Sequence, residues 1–348
     1  MPMLRRPAAL NALAPGVALQ VNDLRAHFVF RRRVAKAVDG VSFTLREGGT
    51  LAIVGESGSG KSVTSFSLLG LLPPPGRIVG GSVLYRDSAG AVHDLATLPA
   101  AAMRRMRGRQ IAMIFQEPMT SLNPLFTIGD QIGEMIRLHE PVSRGQVRQR
   151  VQRMLELVEI PAAAARLDDY PHQMSGGMRQ RAMIALALAC NPRVLIADEP
   201  TTALDVTTQS QILDLLRRLQ RESGMSILFI THNLGVVAEI AQDVAVMYAG
   251  RVVEQAPVAR LFAASRHPYT RGLLHATPNP ARDVPQDGPR RRLEPIPGTV
   301  PSLTELPPGC SFAPRCTLAM RACEAAVPPL LSVAPDHASR CLRHEELA

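Results

Sequence analysis

The sequence predicts an α/β protein, and three observations predict it. Short apolar runs alternate with helical segments along most of the chain. The run Leu51–Val54 leads into a glycine-rich turn and then a helix starting near Lys61, and a second run, Val194–Ala197, ends in paired carboxylates, Asp198 and Glu199. With 348 residues, 46% hydrophobic and 20% charged, the chain can bury the core of one large domain plus an appendage, or of two domains.

The first element in order is the N-terminus. "MLRRPAALNALAPGVALQV" has a basic start, but Asn11, Pro15 and Gly16 break the apolar core that an export signal needs, so residues 1–16 are expected to be a disordered tail. The richest apolar run, Ala182–Cys190, spans nine residues and is too short for a membrane-spanning helix. The net charge of +9 suits nucleic acid, an anionic membrane surface or a nucleotide. Aromatic residues are only 4% with no tryptophan, so no base-stacking platform is visible, and charge alone decides nothing. The runs Arg31–Arg33 and Arg290–Arg292 are expected to be solvated loops.

"LAIVGESGSGKSVTSFSLLGLL" matches G-x-x-x-x-G-K-[ST] between a strand and a helix. Gly55, Gly58 and Gly60 let the backbone curl so that its N–H groups point at phosphate oxygens, and the following helix adds its positive end. Ser57, Ser59 and Val63 complete the expected phosphate-binding stretch. Lys61 is expected to hold the β and γ phosphates, and Ser62 to ligate Mg²⁺.

In a parallel sheet, ligands gather at the carboxyl ends of strands, which puts Asp198 and Glu199 beside the phosphate loop. Asp198 is then expected to bind Mg²⁺ through water, and Glu199 to orient and deprotonate the attacking water. Between the strands, Ser175, Gly176 and Gly177 precede a helix expected over Met178–Cys190, giving a second anion-binding end. One nucleotide does not need two such ends from one subunit, so one of them is expected to serve a neighbour. In "TTQSQILDLLRRLQRE", Ile212, Leu215, Leu216 and Leu219 share one helical face for packing on the sheet.

The order of phosphate loop, Gln116 after "QIAMIF", SGG element, carboxylate strand, "TTALD" and "LFITHN" resembles the nucleotide-binding subunit of an ABC transporter. The resemblance implies a P-loop NTPase cassette: a RecA-like core with an antiparallel β subdomain and a helical subdomain. In that family two cassettes face head to tail, and each ATP lies between one phosphate loop and the other subunit's SGG element. Carried over, Gln116 touches Mg²⁺ and the attacking water, and Ser175, Gly176 and Gly177 bind the γ-phosphate of the partner's ATP. Asp205 lies on the dimer contact and His232 holds the γ-phosphate. For the family's adenine-stacking aromatic the candidates are Phe30, then Phe28, with an arginine of the following run as the competing choice.

Finer stretches, "QEPMTSLNP", "SGGMRQR" and "RHPYTRGLL", are similar to the oligopeptide and dipeptide importer ATPases, whose relatives import nickel. The resemblance runs from about Val17 to the end. It implies an ATPase powering import of peptides, or alternatively of nickel or another small solute; a soluble, non-transport ABC ATPase is the remaining reading. The implied partners are a second, sibling ATPase subunit, two integral membrane permease subunits and an extracytoplasmic substrate-binding protein; only from this resemblance does it follow that no nucleic-acid partner is expected. The implied place is the cytoplasmic face of the inner membrane, peripherally attached.

Four of the five cysteines, Cys310, Cys316, Cys323 and Cys341, fall within the final 39 residues as C-x₅-C-x₆-C-x₁₇-C. The pattern lacks the C-x₂-C knuckle of common zinc sites, and spacing alone leaves metal binding and independent thiols both open. Four thiolates suit zinc or an iron–sulfur cluster. Branch members that keep the pattern resemble carriers of a [4Fe-4S] cluster, which makes these four its implied ligands. The expected organisation is a tail over 1–16, a cassette over 17–265 with its helical subdomain over about 117–178, and a loop-rich, metal-binding extension over 266–348.

Overall fold

A computed structural model describes residues 13–117, 121–202, 204–278 and 295–347 of the chain. These divide into two units: one from the described parts of Met1–Gln20 with Leu45–Gly49 and Val83–Phe229, the other from Val21–Thr44, Thr50–Ser82 and the described residues from Ile230 onward.

In the first unit, strands Ile111–Ile114 and Val194–Asp198 pair in parallel, Ile111 opposite Val194 and Ile114 opposite Ala197. Strand Ser226–Thr231, which carries the chain into the second unit, follows Val194–Asp198 in the sheet order. Every residue of these three strands is buried, as continuous apolar runs in a parallel sheet require. Helix Gly176–Leu188 packs on Ile111–Ile114. Helix Val206–Ser223 buries the predicted face, Ile212, Leu215, Leu216 and Leu219, together with Leu213, and ends at Gly224 in the left-handed conformation.

The predicted helical subdomain is present in this unit. Helices Ile128–His139 and Arg144–Leu157 pack together through Ile128, Ile132 and Ile136 on one, and Val147, Val151 and Leu155 on the other. Four-residue spacing puts each set on one face. Thr127 and Ser143 cap the two N-termini, the latter in a capping box with Gln146. The predicted tail is shorter than expected at its C-terminal side. Leu13 is buried, and the Arg86 guanidinium donates to the carbonyls of Leu13 at 2.7 Å and Ala14 at 3.2 Å. Residues 1–12 of that tail, and Arg290–Arg292, lie outside the described residues.

In the second unit, strand Thr50–Val54 pairs in parallel with Asp243–Tyr248, Leu51 opposite Asp243 and Val54 opposite Val246. The chain turns at Ala249–Gly250 and returns antiparallel as Arg251–Pro257. Strands from the C-terminal region extend this sheet: His337–Ser339 pairs with Arg251–Pro257, and Leu331–Ala334 with His337–Ser339. The extension is therefore more regular than the predicted loop-rich segment. Val54, Val246, Tyr248, Leu261, Tyr269 and Phe312 share one hydrophobic core, so residues on both sides of position 265 bury one another. Tyr248 lies 4.6 Å from Tyr269 and 5.3 Å from Phe312 between ring centroids.

Candidate active site

In the second unit, strand Thr50–Val54 runs directly into the phosphate loop, and helix Lys61–Leu68 leaves it. Gly60 sits at the helix N-cap with φ +101°, and a Cβ there would lie 2.2 Å from the Ala37 carbonyl oxygen. At Gly55 it would lie 2.2 Å from the Met247 carbonyl oxygen. Strands packed behind the loop thus leave no space for a side chain at either position. Lys61 is buried, and its ammonium donates to the carbonyls of Gly55 at 2.8 Å and Glu56 at 3.1 Å. Ser59 is buried, and among the described residues its Oγ has no hydrogen-bond partner. Ser57 and Gly58 are exposed at the loop tip, while Ser62 and Val63 are half-buried in the first helical turn. Curled backbone, helix N-terminus and lysine make a cradle for phosphate oxygens.

His232 follows strand Ser226–Thr231 and is exposed, and Asn233 next to it caps the following helix by accepting from the Gly235 N–H at 2.9 Å. Phe30 stands one residue beyond strand Val17–Val29 and is 51% exposed, whereas Phe28 is half-buried and its ring packs on Gly76. Phe30 is therefore an available aromatic face. Arg31, Arg32 and Arg33 are exposed too.

In the first unit, Asp198 ends its strand and is 1% exposed. Glu199 follows at φ +49°, a left-handed conformation that costs an L-residue about 1–2 kcal/mol. Its carboxylate is held there: Gln116 Nε2 donates to Oε2 at 3.1 Å, and Thr202 Oγ1 donates to the same oxygen at 2.8 Å. Gln116 lies two residues past strand Ile111–Ile114, on exposed backbone. The strained residue, its glutamine and its threonine form one cluster beside a buried aspartate. Sequence reasoning passed over Thr202, although the threonine pair after the carboxylates was a signal for local side-chain bonding.

The SGG helix begins two residues earlier than expected, at Gly176, because Ser175 caps it by accepting from the Met178 N–H at 3.3 Å. Ser175 and Gly176 are exposed and Gly177 is half-buried. Asp205 caps helix Val206–Ser223, accepting from the Thr208 N–H at 2.9 Å and the Thr208 hydroxyl at 2.7 Å. These bonds hold its carboxyl below the usual range.

Cys310, Cys316 and Cys341, with Cys323 of the short helix Arg321–Ala325, line one cavity with His267, Pro268 and Phe312. None of the four forms a disulfide. The Cys310 N–H donates to the Cys323 carbonyl at 2.7 Å, which ties the segment of Cys310 to that helix. Burial raises the Cys310 and Cys316 thiols and pushes Cys341 up to about 11. Among the described residues, no three His, Cys, Asp or Glu side chains are grouped so as to hold a metal ion. Also among them, no helix is long and apolar enough to cross a membrane.

Comparison with known proteins places this geometry. A family model described as ABC transporter matches residues 38–202, and one described as oligopeptide/dipeptide transporter, C-terminal region, matches residues 253–323. A third, an AAA domain described as a putative AbiEii toxin, matches 167–238. A putative peptide import ATP-binding protein of Brucella ovis is 56% identical over 95% of this chain and 98% of its own length. The oligopeptide transport ATP-binding protein AppD of Bacillus subtilis is 48% identical over 94% and 97%. Among solved structures, an ATP-binding cassette in a dimeric post-hydrolysis state bound to ADP and Pi superposes with TM-score 0.61 at 26% identity, covering 69% of this chain and 98% of that one. The component cbiO1 of a Clostridium perfringens ABC transporter complex gives TM-score 0.59 at 27% identity, covering 71% and 91%. Phosphate loop, carboxylate strand and C-terminal region all lie within these matches, and the chain belongs to the ABC transporter ATP-binding family, in the group that carries the oligopeptide/dipeptide transporter C-terminal region.

Proposed function

We propose that this chain is the ATP-hydrolysing subunit of a peptide importer. The observation that carries the hydrolytic part is Glu199, strained and held by Gln116 and Thr202 next to buried Asp198. Near-full-length similarity to peptide import ATP-binding proteins, C-terminal region included, supports peptide as the cargo class. In this reading Lys61 and the loop residues Gly55, Ser57, Gly58, Ser59, Gly60, Ser62 and Val63 bind the phosphates, Phe30 stacks on adenine, and Glu199 orients and deprotonates the attacking water. His232 holds the γ-phosphate. Ser62, Gln116 and Asp198 are the residues to hold Mg²⁺, which when bound neutralises phosphate charge.

Ser175 and Gly176, exposed at a helix N-terminus, and the half-buried Gly177 serve the ATP of a sibling ATPase subunit, with Asp205 at the same contact. Two permease subunits in the inner membrane and an extracytoplasmic binding protein complete the machine, and this chain works on its cytoplasmic face. The domain limits proposed are a cassette over 17–265 and an extension over 266–348. Cys310, Cys316, Cys323 and Cys341 are unbridged and line one cavity, which supplies the donor type of a [4Fe-4S] cluster although the four are not grouped here as metal ligands; such a cluster, as a structural staple of that extension, is part of the proposal.

Two experiments test this. Cells lacking the chain are supplied with native protein or with Glu199→Gln, and uptake of labelled peptides is followed; native protein restores uptake and the variant does not. Restored nickel uptake without peptide uptake would move the cargo to the alternative. Protein purified without oxygen is analysed for iron, acid-labile sulfide and zinc. About four irons and four sulfides per chain are expected; zinc alone would replace the cluster by a zinc staple.

A further inference from the structure

The first variable residue of the phosphate loop is held from the C-terminal region. The Arg315 guanidinium grips Glu56 with both arms, Nη1 to Oε2 at 2.7 Å and Nη2 to Oε1 at 3.1 Å. The Glu56 N–H donates to the Tyr269 hydroxyl at 2.8 Å. The Glu56 carbonyl accepts from Ser59 N–H at 3.2 Å and from the Lys61 ammonium at 3.1 Å. Backbone donor, backbone acceptor and both carboxylate oxygens of one loop residue are therefore engaged.

The holders are themselves fixed. The Arg315 side chain is 4% exposed, donates from Nε to the Pro297 carbonyl at 2.8 Å and from Nη1 to the Tyr248 hydroxyl at 3.3 Å, and lies over the Tyr248 and Phe312 rings. Tyr269 is fully buried against those two rings. A planar fork seated this way presents both donors in one orientation, which lysine cannot reproduce.

We propose that Arg315 and Tyr269 are positioning residues for ATP: acting through Glu56, they fix the carbonyl on which Lys61 rests and so the direction in which the loop presents its amides. The inference rests on the ATPase reading above and adds to it a part for the C-terminal region at the nucleotide. Neither residue touches the phosphates in this scheme. They set the loop that does.

The test is a double-mutant cycle on the full chain, with ATP dissociation constants measured by calorimetry and melting temperatures alongside. Arg315→Gln and Glu56→Gln each weaken ATP binding about tenfold, the size of a lost charged hydrogen bond. The double variant is no weaker than either single one, because both break the same link. Arg315→Lys, which keeps the charge and loses the fork, falls between native and Arg315→Gln and serves if the glutamine variant does not fold. Tyr269→Phe weakens binding in the same direction. Native ATP affinity in the arginine variants, or effects that simply add in the double variant, would overturn the link while native ATPase activity left the proposed function standing. Native protein that binds no ATP would overturn that function and this inference together.

Discussion

Gln116 donates its side-chain amide to the Glu199 carboxylate at 3.1 Å, so the residue proposed to handle water is already tied to the strand that leads toward the helical subdomain. Glu199→Gln keeps ATP binding and loses steady-state hydrolysis by at least about a hundredfold, the usual contribution of a general base. Turnover and nucleotide affinity measured on one preparation check this, and full turnover would reassign the base. Gln116→Ala leaves ATP affinity within about twofold and lowers turnover, since it removes one of the bonds, worth about 1 kcal/mol, that orient the Glu199 carboxylate.

Two glycines of the phosphate loop respond differently to the same change. A Cβ at Gly58 meets nothing within 4 Å, so Gly58→Ala carries only the cost of φ +77°, about 1–2 kcal/mol. Gly60→Ala adds a backbone collision at 2.2 Å and is expected to abolish ATP binding and lower the melting temperature. Equal effects of the two substitutions, read by thermal melting with and without ATP, would contradict the packing behind the loop.

Asp39 accepts from Arg251 at 2.6 Å in a half-buried setting. Burial, the largest single influence, raises the Asp39 carboxyl, but the bond and charge of Arg251 together with the charges of Lys36 and His27 outweigh it, and the net displacement is downward from 3.8. A carboxyl lowered in the folded state adds stability that is present above its unfolded value and is lost as pH falls through the folded one. The native protein should therefore lose stability below about pH 4, and Asp39→Asn should flatten that acid limb. At pH 7 the same variant is destabilised by about 1–3 kcal/mol because Arg251 loses its partner. Denaturant unfolding across pH measures both.

Gly309 lies where the segment of Cys310 meets the helix of Cys323, and a Cβ there would sit 2.1 Å from the Cys323 carbonyl oxygen. Gly309→Ala should push Cys310 away from Cys323 and, on the cluster proposed above, lower iron and sulfide content as far as Cys323→Ser does. Native iron and sulfide content in the alanine variant would show that the Cys310 segment need not close on the Cys323 helix.

What could be read in advance follows from what each feature depends on. The phosphate loop, the carboxylate strand and the amphipathic helix with Ile212 and Leu219 are local patterns, and they appear where their period and glycines put them. Phe30 was ambiguous because alternation alone does not say where a strand stops; the strand ends at Val29 and leaves Phe30 outside. The left-handed Glu199 and its bond to Gln116 were invisible, since they need two chain segments 83 residues apart to meet. The C-terminal region was underestimated for the same reason. Its short strands have little propensity of their own and form by pairing with Arg251–Pro257.

Glu56 and Arg315 are 259 residues apart, and a ribosome adding about 5–20 residues per second delivers the second roughly 13–52 s after the first. For that interval a growing chain carries a complete phosphate loop without its arginine. A nascent or prematurely terminated chain that stops short of Arg315 is thus expected, on the link proposed above, to hold ATP about tenfold more weakly than one that carries it.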